Sequence, residues 1–138
     1  MDANEIENVM AAFENIHKVL AQKMSVVLKE YNVSQAHTKF MFTIFKINGL
    51  NQKSLTEHMG VDKAYTNRVV GDLLDRGLIS KNSLSDKARD YELTLTDRGK
   101  GILEIFKKNA DEQKALALSK LTEEEQKELY RLICKALG

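Results

Sequence analysis

The sequence contains no proline, no tryptophan and only one cysteine among its 138 residues. Without proline nothing forces a break in a long helix, and the lone Cys134 cannot close an internal disulfide. No apolar run approaches the roughly 18 residues of a membrane-spanning helix. The first ten residues carry acids where a secretory signal carries bases, so we expect a cytoplasmic protein without a membrane segment.

An excess of charge of one sign is also missing. The chain has 21 Lys and Arg residues against 20 Asp and Glu, a net charge of +1, and the two signs are balanced within each third of it. This balance excludes a basic tail protein and an acidic disordered chain. Any contact with nucleic acid must therefore come from the local placement of charge. The length and the 43% hydrophobic content fit one globular domain.

Motifs for catalysis and for metal binding are absent from the sequence. It has no Gly-rich phosphate loop and no nucleophile motif, and His17, His37 and His58 lack the spacing of metal ligands. We therefore expect no enzyme activity, no metal and no other cofactor. Cys134 falls in an apolar stripe of the last helix, which predicts a packing role.

Helical periodicity covers both ends of the chain. From residue 4 to about 30, apolar residues recur at spacings of three and four, and the same period returns over residues 101–119 and 122–137. Thr122 and Glu125 have the spacing of a capping box. Another apolar run, residues 40–47, also fits a strand by composition, but its length after a Ser34 cap and its stop at Asn48-Gly49 favour a buried helix.

The pattern of the stretch between these helices, residues 50–99, predicts two short helices and a hairpin. Asn51 can cap a helix that ends at Met59, Gly60 supplies a turn residue, and Asp62 can cap a second helix that runs to Gly77. This spacing is typical of a helix-turn-helix. Residues 78–80 and 91–96 follow as two strands, the second with alternating apolar and polar residues, which predicts a wing.

Residues 55–99 resemble the winged helix-turn-helix core of the MarR family of bacterial transcriptional regulators. Each matching motif is weak alone, but their order and spacing are specific. In chain order they are Leu55-x3-Met59-Gly60-Val61, Arg68-Val69-Val70-x2-Leu73, Arg76-Gly77-Leu78-Ile79, and Arg89 followed six residues later by Leu95-Thr96-x2-Gly99. The long helices on both sides are also similar to the family, so the resemblance covers essentially the whole chain.

This resemblance implies a mainly α fold, a winged helix-turn-helix with a small two- or three-stranded β wing and long terminal helices that form a dimerisation domain. Residues 1–138 then form a single domain, with dimerisation helices at 4–33 and 101–137 and the core at 34–100. The implied function is that of a sequence-specific DNA-binding regulator, a homodimeric repressor on a pseudo-palindromic operator that a small aromatic effector releases. The balanced charge keeps a second interpretation open, a protein-binding adaptor or antirepressor without DNA binding.

Two features depart from this family pattern. The family wing carries Asp-x-Arg, but Lys87 stands two residues before Arg89 and the nearest acid is Asp86. Gly71 lies inside the predicted recognition helix, where glycine costs on the order of 1 kcal/mol relative to alanine. We expect close packing against a neighbour to account for this glycine.

In the predicted recognition helix, five residues lie opposite the apolar stripe and should face DNA: Lys63, Ala64, Tyr65, Asn67 and Arg68. Arg68 can donate two hydrogen bonds to guanine, and Asn67 can pair with adenine N6 and N7. Lys63 and the Tyr65 hydroxyl suit phosphates, although the tyrosine ring could touch a thymine methyl instead. The alternative is a solvated charge ladder from Arg68 to Asp72 to Arg76.

Further DNA contacts are predicted around this helix. Arg89 at the hairpin tip suits a narrow minor groove, which is also how the family uses this position. The predicted phosphate contacts are Lys81, Asn82 and Lys87 on the wing and Gln52, Lys53 and Ser54 at the start of the first motif helix. Each of these could instead be an ordinary surface residue. By resemblance we expect an effector pocket near Phe13, His17, His37 and Met41.

Overall fold

The computed structural model of the chain describes residues 1–86 and 91–138, which form six helices and a hairpin. The elements are α1 (Ala3–Glu30), α2 (Gln35–Lys46), α3 (Gln52–Met59), α4 (Lys63–Asp75), β1 (Ile79–Ser83), β2 (Tyr91–Leu95), α5 (Asp97–Leu118) and α6 (Glu123–Leu137). The two strands are antiparallel, with Ile79 opposite Leu95 and Ser83 opposite Tyr91. The predicted mainly helical fold with a small wing is confirmed, and the sheet described here has two strands.

Local capping interactions explain where the helices begin. The side chain of Asn51 accepts a hydrogen bond from the Ser54 amide at the start of α3, and that of Asp62 accepts from the Tyr65 amide at the start of α4. α2 has a capping box in which Ser34 and His37 each bond the other's backbone amide. Thr122 and Glu125 do the same for α6. The caps at Ser34, Asn51 and Asp62 and the box of Thr122 and Glu125 are those predicted from the sequence, whereas the part of His37 in the α2 box was not predicted.

The chain divides into two compact units, residues 25–107 and residues 1–24 with 108–138. The unit of residues 25–107 has a closed apolar core to which α2, α3, α4, the hairpin and the first part of α5 all contribute. Burial of each large apolar side chain stabilises the fold by about 1.5–3 kcal/mol. The buried side chains include Phe40, Met41, Ile44, Leu55, Val69, Val70, Leu73, Leu78, Leu93 and Phe106.

Helix α5 begins at Asp97, four residues earlier than the sequence predicted. Its cap is Thr96, whose hydroxyl oxygen accepts a hydrogen bond from the Gly99 amide. Gly99 is required inside this first turn because a Cβ there would overlap the Leu78 carbonyl oxygen. The glycine therefore marks close packing of the helix on the backbone just before β1 rather than a break in the helix.

Two packing expectations are wrong for the single chain. Gly71 lies in α4, but a Cβ built on it meets no other atom within 4 Å, so close packing does not explain this glycine. Cys134 was expected to pack in an apolar stripe, but its side chain is exposed in the isolated chain.

The unit of residues 1–24 and 108–138, all of which the structure describes, contains no buried residue. Its helices carry large apolar side chains on their surfaces, among them Val9, Phe13, Ile16, Leu116, Tyr130, Leu132 and Leu137. None of the described helices combines the length and the apolar character needed to cross a membrane.

Candidate nucleic-acid interface

Helix α4 has one buried face and one exposed face, as its periodicity predicts. Thr66, Val69, Val70 and Leu73 are buried on the inner face. On the outer side Lys63, Ala64, Asn67 and Arg68 are exposed, while Tyr65 is half-buried. The exposed side chains lie in the first two turns of the helix. The N-terminal half of a recognition helix is the part that reaches base edges in the major groove.

The guanidinium of Arg68 lies over the ring of Tyr65, 5.0 Å from its centroid. Tyr65 in turn packs against the buried Phe40, with 6.1 Å between the ring centroids. This contact holds the guanidinium at the Tyr65 ring and leaves the Arg68 side chain exposed, as a bidentate contact to guanine O6 and N7 requires. The sequence did not reveal that Tyr65 serves partly as a support for Arg68.

The alternative charge ladder along α4 does not form. Asp72 pairs with His37 of α2, with 3.4 Å between the carboxylate oxygen and Nε2. Arg76 donates a hydrogen bond to the backbone carbonyl of Asn32. Arg68 is engaged with Tyr65 instead, so the interpretation that these three charges merely pair along one helix is wrong.

The amide groups of Gln52 and Asn67 meet at the exposed side of the two motif helices. Nε2 of Gln52, the first residue of α3, donates a hydrogen bond to Oδ1 of Asn67 on α4. Lys53, the next residue of α3, is exposed, and Ser54 is half-buried with its backbone amide donating to the Asn51 cap. Of the three phosphate contacts predicted on α3, Gln52 therefore already has a hydrogen-bond partner on α4.

The described part of the wing uses its polar residues within the hairpin. Lys81 places its ammonium over the ring of Tyr91, with 4.7 Å from Nζ to the centroid. Asn82 donates from Nδ2 to the Thr94 hydroxyl at 2.6 Å. Both residues are exposed on β1. Lys87 and Arg89, the other two wing residues predicted to contact DNA, lie outside the described residues.

A groove of about 670 Å³ opens beside the start of α4, and some of the residues that line it were not predicted as site residues from the sequence. Gln35 and Lys39, four residues apart on α2, line it together with Asp62 and Tyr65. Lys39 is exposed, so a cation of α2 stands next to the N-terminal turn of α4. In the sequence, the only indication of this surface is the i, i+4 spacing of Gln35 and Lys39 directly after the Ser34 cap.

The four residues of the predicted effector pocket are divided between the two units. Phe13 and His17 are exposed on α1 in the unit of residues 1–24 and 108–138. His37 and Met41 are buried on α2 in the other unit, where His37 bonds the Ser34 amide and Asp72. The pocket stays a prediction. Within residues 1–86 and 91–138, no three His, Cys, Asp or Glu side chains are grouped so that they could hold a metal ion.

This architecture, a helix-turn-helix with an exposed second helix followed by a β hairpin, is that of the winged-helix class of DNA-binding proteins. Comparison with known proteins gives its family. A sequence profile of the MarR family matches residues 33–89. The HTH-type transcriptional regulator BilQ of Clostridium symbiosum is 32% identical over 108 residues, which cover 78% of this chain and 75% of BilQ. The chain belongs to the MarR family.

Solved structures support the same fold. A mutant of Staphylococcus aureus MepR bound to an oligodeoxyribonucleotide superimposes with a TM-score of 0.78 at 20% identity, over 94% of this chain and 95% of that one. The multiple antibiotic-resistance repressor (MarR) of Listeria monocytogenes gives a TM-score of 0.72 at 22% identity, over 99% and 95% of the two chains.

Proposed function

We propose that the protein is a homodimeric repressor that binds a pseudo-palindromic operator. The two α4 helices of the dimer enter successive major grooves about 10 bp apart. Asn67 and Arg68 read base edges, while Lys63, Lys53 and the wing residues Lys81 and Asn82 hold the phosphates. The observation that carries this proposal is the exposure of Asn67 and Arg68 on a helix whose opposite face is buried in a helix-turn-helix.

The dimer is supported by the surfaces of the terminal helices, residues 4–33 and 101–137, which we propose as the dimerisation helices. The apolar side chains of Ile16, Leu132 and Leu137 are 52%, 48% and 83% exposed in a single chain. Patches of this kind mark interaction sites. In α5, Asn109 Oδ1 and Gln113 Oε1 are buried, and neither has a hydrogen-bond partner among the described residues. A second copy of the chain would cover the apolar residues.

Repression rather than activation is supported by the Listeria protein, which is a multiple antibiotic-resistance repressor, and DNA binding is supported by the MepR structure with an oligonucleotide. A bound dimer represses when its operator overlaps a promoter. Such a regulator acts where the DNA is, in the cytoplasm of a bacterium. A small aromatic effector that prefers another separation of the two α4 helices would release the dimer from the operator.

The test is a salt titration of binding to duplexes selected from a random pool. We expect the affinity to fall steeply with salt because phosphate contacts release counterions. Arg68→Ala should cost roughly 1–3 kcal/mol and relax one base preference, whereas Lys63→Ala should weaken all sequences alike and reduce the salt slope by about 1. A wild-type protein that binds no duplex at low salt is an adaptor and not a repressor. Equal losses in both variants with unchanged base preference would show that the readers are assigned wrongly.

A further inference from the structure

Gln52 stands at the start of α3, and its side chain leans toward α4 rather than outward from its own helix. Its backbone is held firmly, since its carbonyl accepts a hydrogen bond from the Thr56 hydroxyl at 2.8 Å and the preceding Asn51 caps the helix. Its side chain is half-buried, in contrast to that of the exposed neighbour Lys53. From this fixed position Gln52 Nε2 donates to Oδ1 of Asn67.

This hydrogen bond determines which face of the Asn67 amide is free. An unpaired asparagine reads adenine by accepting from N6 through Oδ1 and donating to N7 through Nδ2. With Gln52 donating to Oδ1, only the second lone pair of that oxygen is left for an adenine N6 group, while both N–H groups on Nδ2 stay available. Donors without a matching acceptor favour a base edge that carries only acceptors. Guanine presents two adjacent acceptors, O6 and N7.

We infer that Gln52 is a specificity-determining residue that acts through Asn67, so that the pair selects guanine where Asn67 alone would select adenine. Gln52 is therefore a positioning residue for a base reader and not the phosphate contact that its sequence position predicted. The inference rests on the proposed DNA binding and adds to it the chemistry of one base position in each half-site.

A neutral amide that contacts phosphate and one that orients a base reader differ in what their loss changes. Loss of a phosphate contact weakens every sequence to the same degree. Loss of Gln52 from the pair would free Oδ1 of Asn67 and change the order of preference among bases, at one position only. The decisive readout is therefore the base preference and not the affinity.

The experiment selects bound duplexes from a randomised pool with the full-length protein, comparing the wild type with Gln52→Ala, Gln52→Glu, Asn67→Ala and the Gln52→Ala/Asn67→Ala double variant. The wild type should prefer guanine to adenine at one position of each half-site. Gln52→Ala should shift that ratio toward adenine by about tenfold, on the scale of one bidentate contact. Asn67→Ala should abolish the preference, and the double variant should match it because Gln52 acts only through Asn67.

Gln52→Glu gives an isosteric check. A carboxylate only accepts, so it would attract Asn67 Nδ2 and turn Oδ1 toward the groove, which selects the amino groups of adenine or cytosine. Lys53→Ala is the matched control on the same helix, and it should leave every base preference unchanged.

Three results would overturn the inference. One is a uniform loss of affinity in Gln52→Ala with the base preference intact, since this would make Gln52 a phosphate contact. Another is an unchanged preference in Gln52→Glu when its melting curve shows the wild-type fold. A wild-type protein that selects no duplex would overturn both this inference and the proposed function, whereas the first two results leave the proposed function standing.

Discussion

The two compact units of the chain differ in whether they bury their own apolar side chains. In residues 25–107, side chains such as Phe40, Leu55 and Leu73 have at most 1% of their surface exposed. In residues 1–24 and 108–138, which are all described, no residue is buried as a whole, although these helices are also amphipathic in pattern. A helix needs an apolar partner to be stable in water, because propensity alone is marginal. The comparison supports the proposed dimer, in which a second copy covers the apolar side chains that residues 1–24 and 108–138 leave exposed.

The sharpest way to break this comparison is to place a charge on the exposed apolar face of α1. Ile16→Glu should raise the dissociation constant of the dimer at least about 100-fold, since a charge buried without a partner costs several kcal/mol. Sedimentation velocity would show monomers, and operator binding would be lost. Residues 25–107 should keep their fold, because their core does not include Ile16.

Lys18→Glu is the matched control for Ile16→Glu. It introduces the same side chain on the same helix, about 200° around from position 16, where the helix is polar. It should leave the dimer intact. A variant Ile16→Glu that stays dimeric at low concentration would contradict the assignment of this face to the second copy.

A smaller effect is expected from a change inside the self-contained unit. Gly99→Ala should lower the free energy of unfolding by about 2 kcal/mol, because its Cβ would overlap the Leu78 carbonyl oxygen and the backbone must move. Gly101→Ala, two residues later in α5, meets no atom within 4 Å and should stabilise the helix by about 0.5–1 kcal/mol. Urea denaturation of both variants measures the difference, and equal effects would show that Gly99 is not packed against the Leu78 backbone.

These glycines also show where the sequence was informative and where it was not. The caps at Ser34, Asn51, Asp62 and Thr122 could be predicted because a capping interaction involves residues three positions apart. The start of α5 was missed because the reason for Gly99 lies in Leu78, which is 21 positions earlier in the connection between α4 and β1. A constraint between distant residues leaves no periodic signal in the chain.

In the candidate site, too, local features could be predicted from the sequence and contacts between distant residues could not. The exposure of Asn67 and Arg68 could be predicted from the period of α4. The partners of these side chains could not, since Gln52 is 15 positions from Asn67 and belongs to another helix. The charge ladder failed for a related reason. The i, i+4 spacing along α4 predicts that Asp72 pairs with Arg68, but in the folded chain the Asp72 carboxylate pairs with His37 of α2.

The smallest effect should come from an ion pair on the surface of α6. The Arg131 guanidinium donates two hydrogen bonds of 2.7 Å to the Glu128 carboxylate and holds the pKa of that carboxyl below its ordinary value. A carboxyl with a lowered pKa adds stability above its ordinary pKa, and this contribution is lost as the pH falls through the folded-state pKa. Both side chains are more than half exposed, so solvent screens the pair.

Arg131→Ala should therefore raise the pKa of Glu128 toward its ordinary value in an NMR titration while changing the melting temperature by less than about 1 °C. Lys127→Ala, which removes the partner of Glu123 one turn earlier, serves as the control and should leave the pKa of Glu128 unchanged. If surface ion pairs held the terminal helices together, Arg131→Ala would instead lower the melting temperature by several degrees. That result would contradict the proposal that apolar contact with a second copy stabilises residues 1–24 and 108–138.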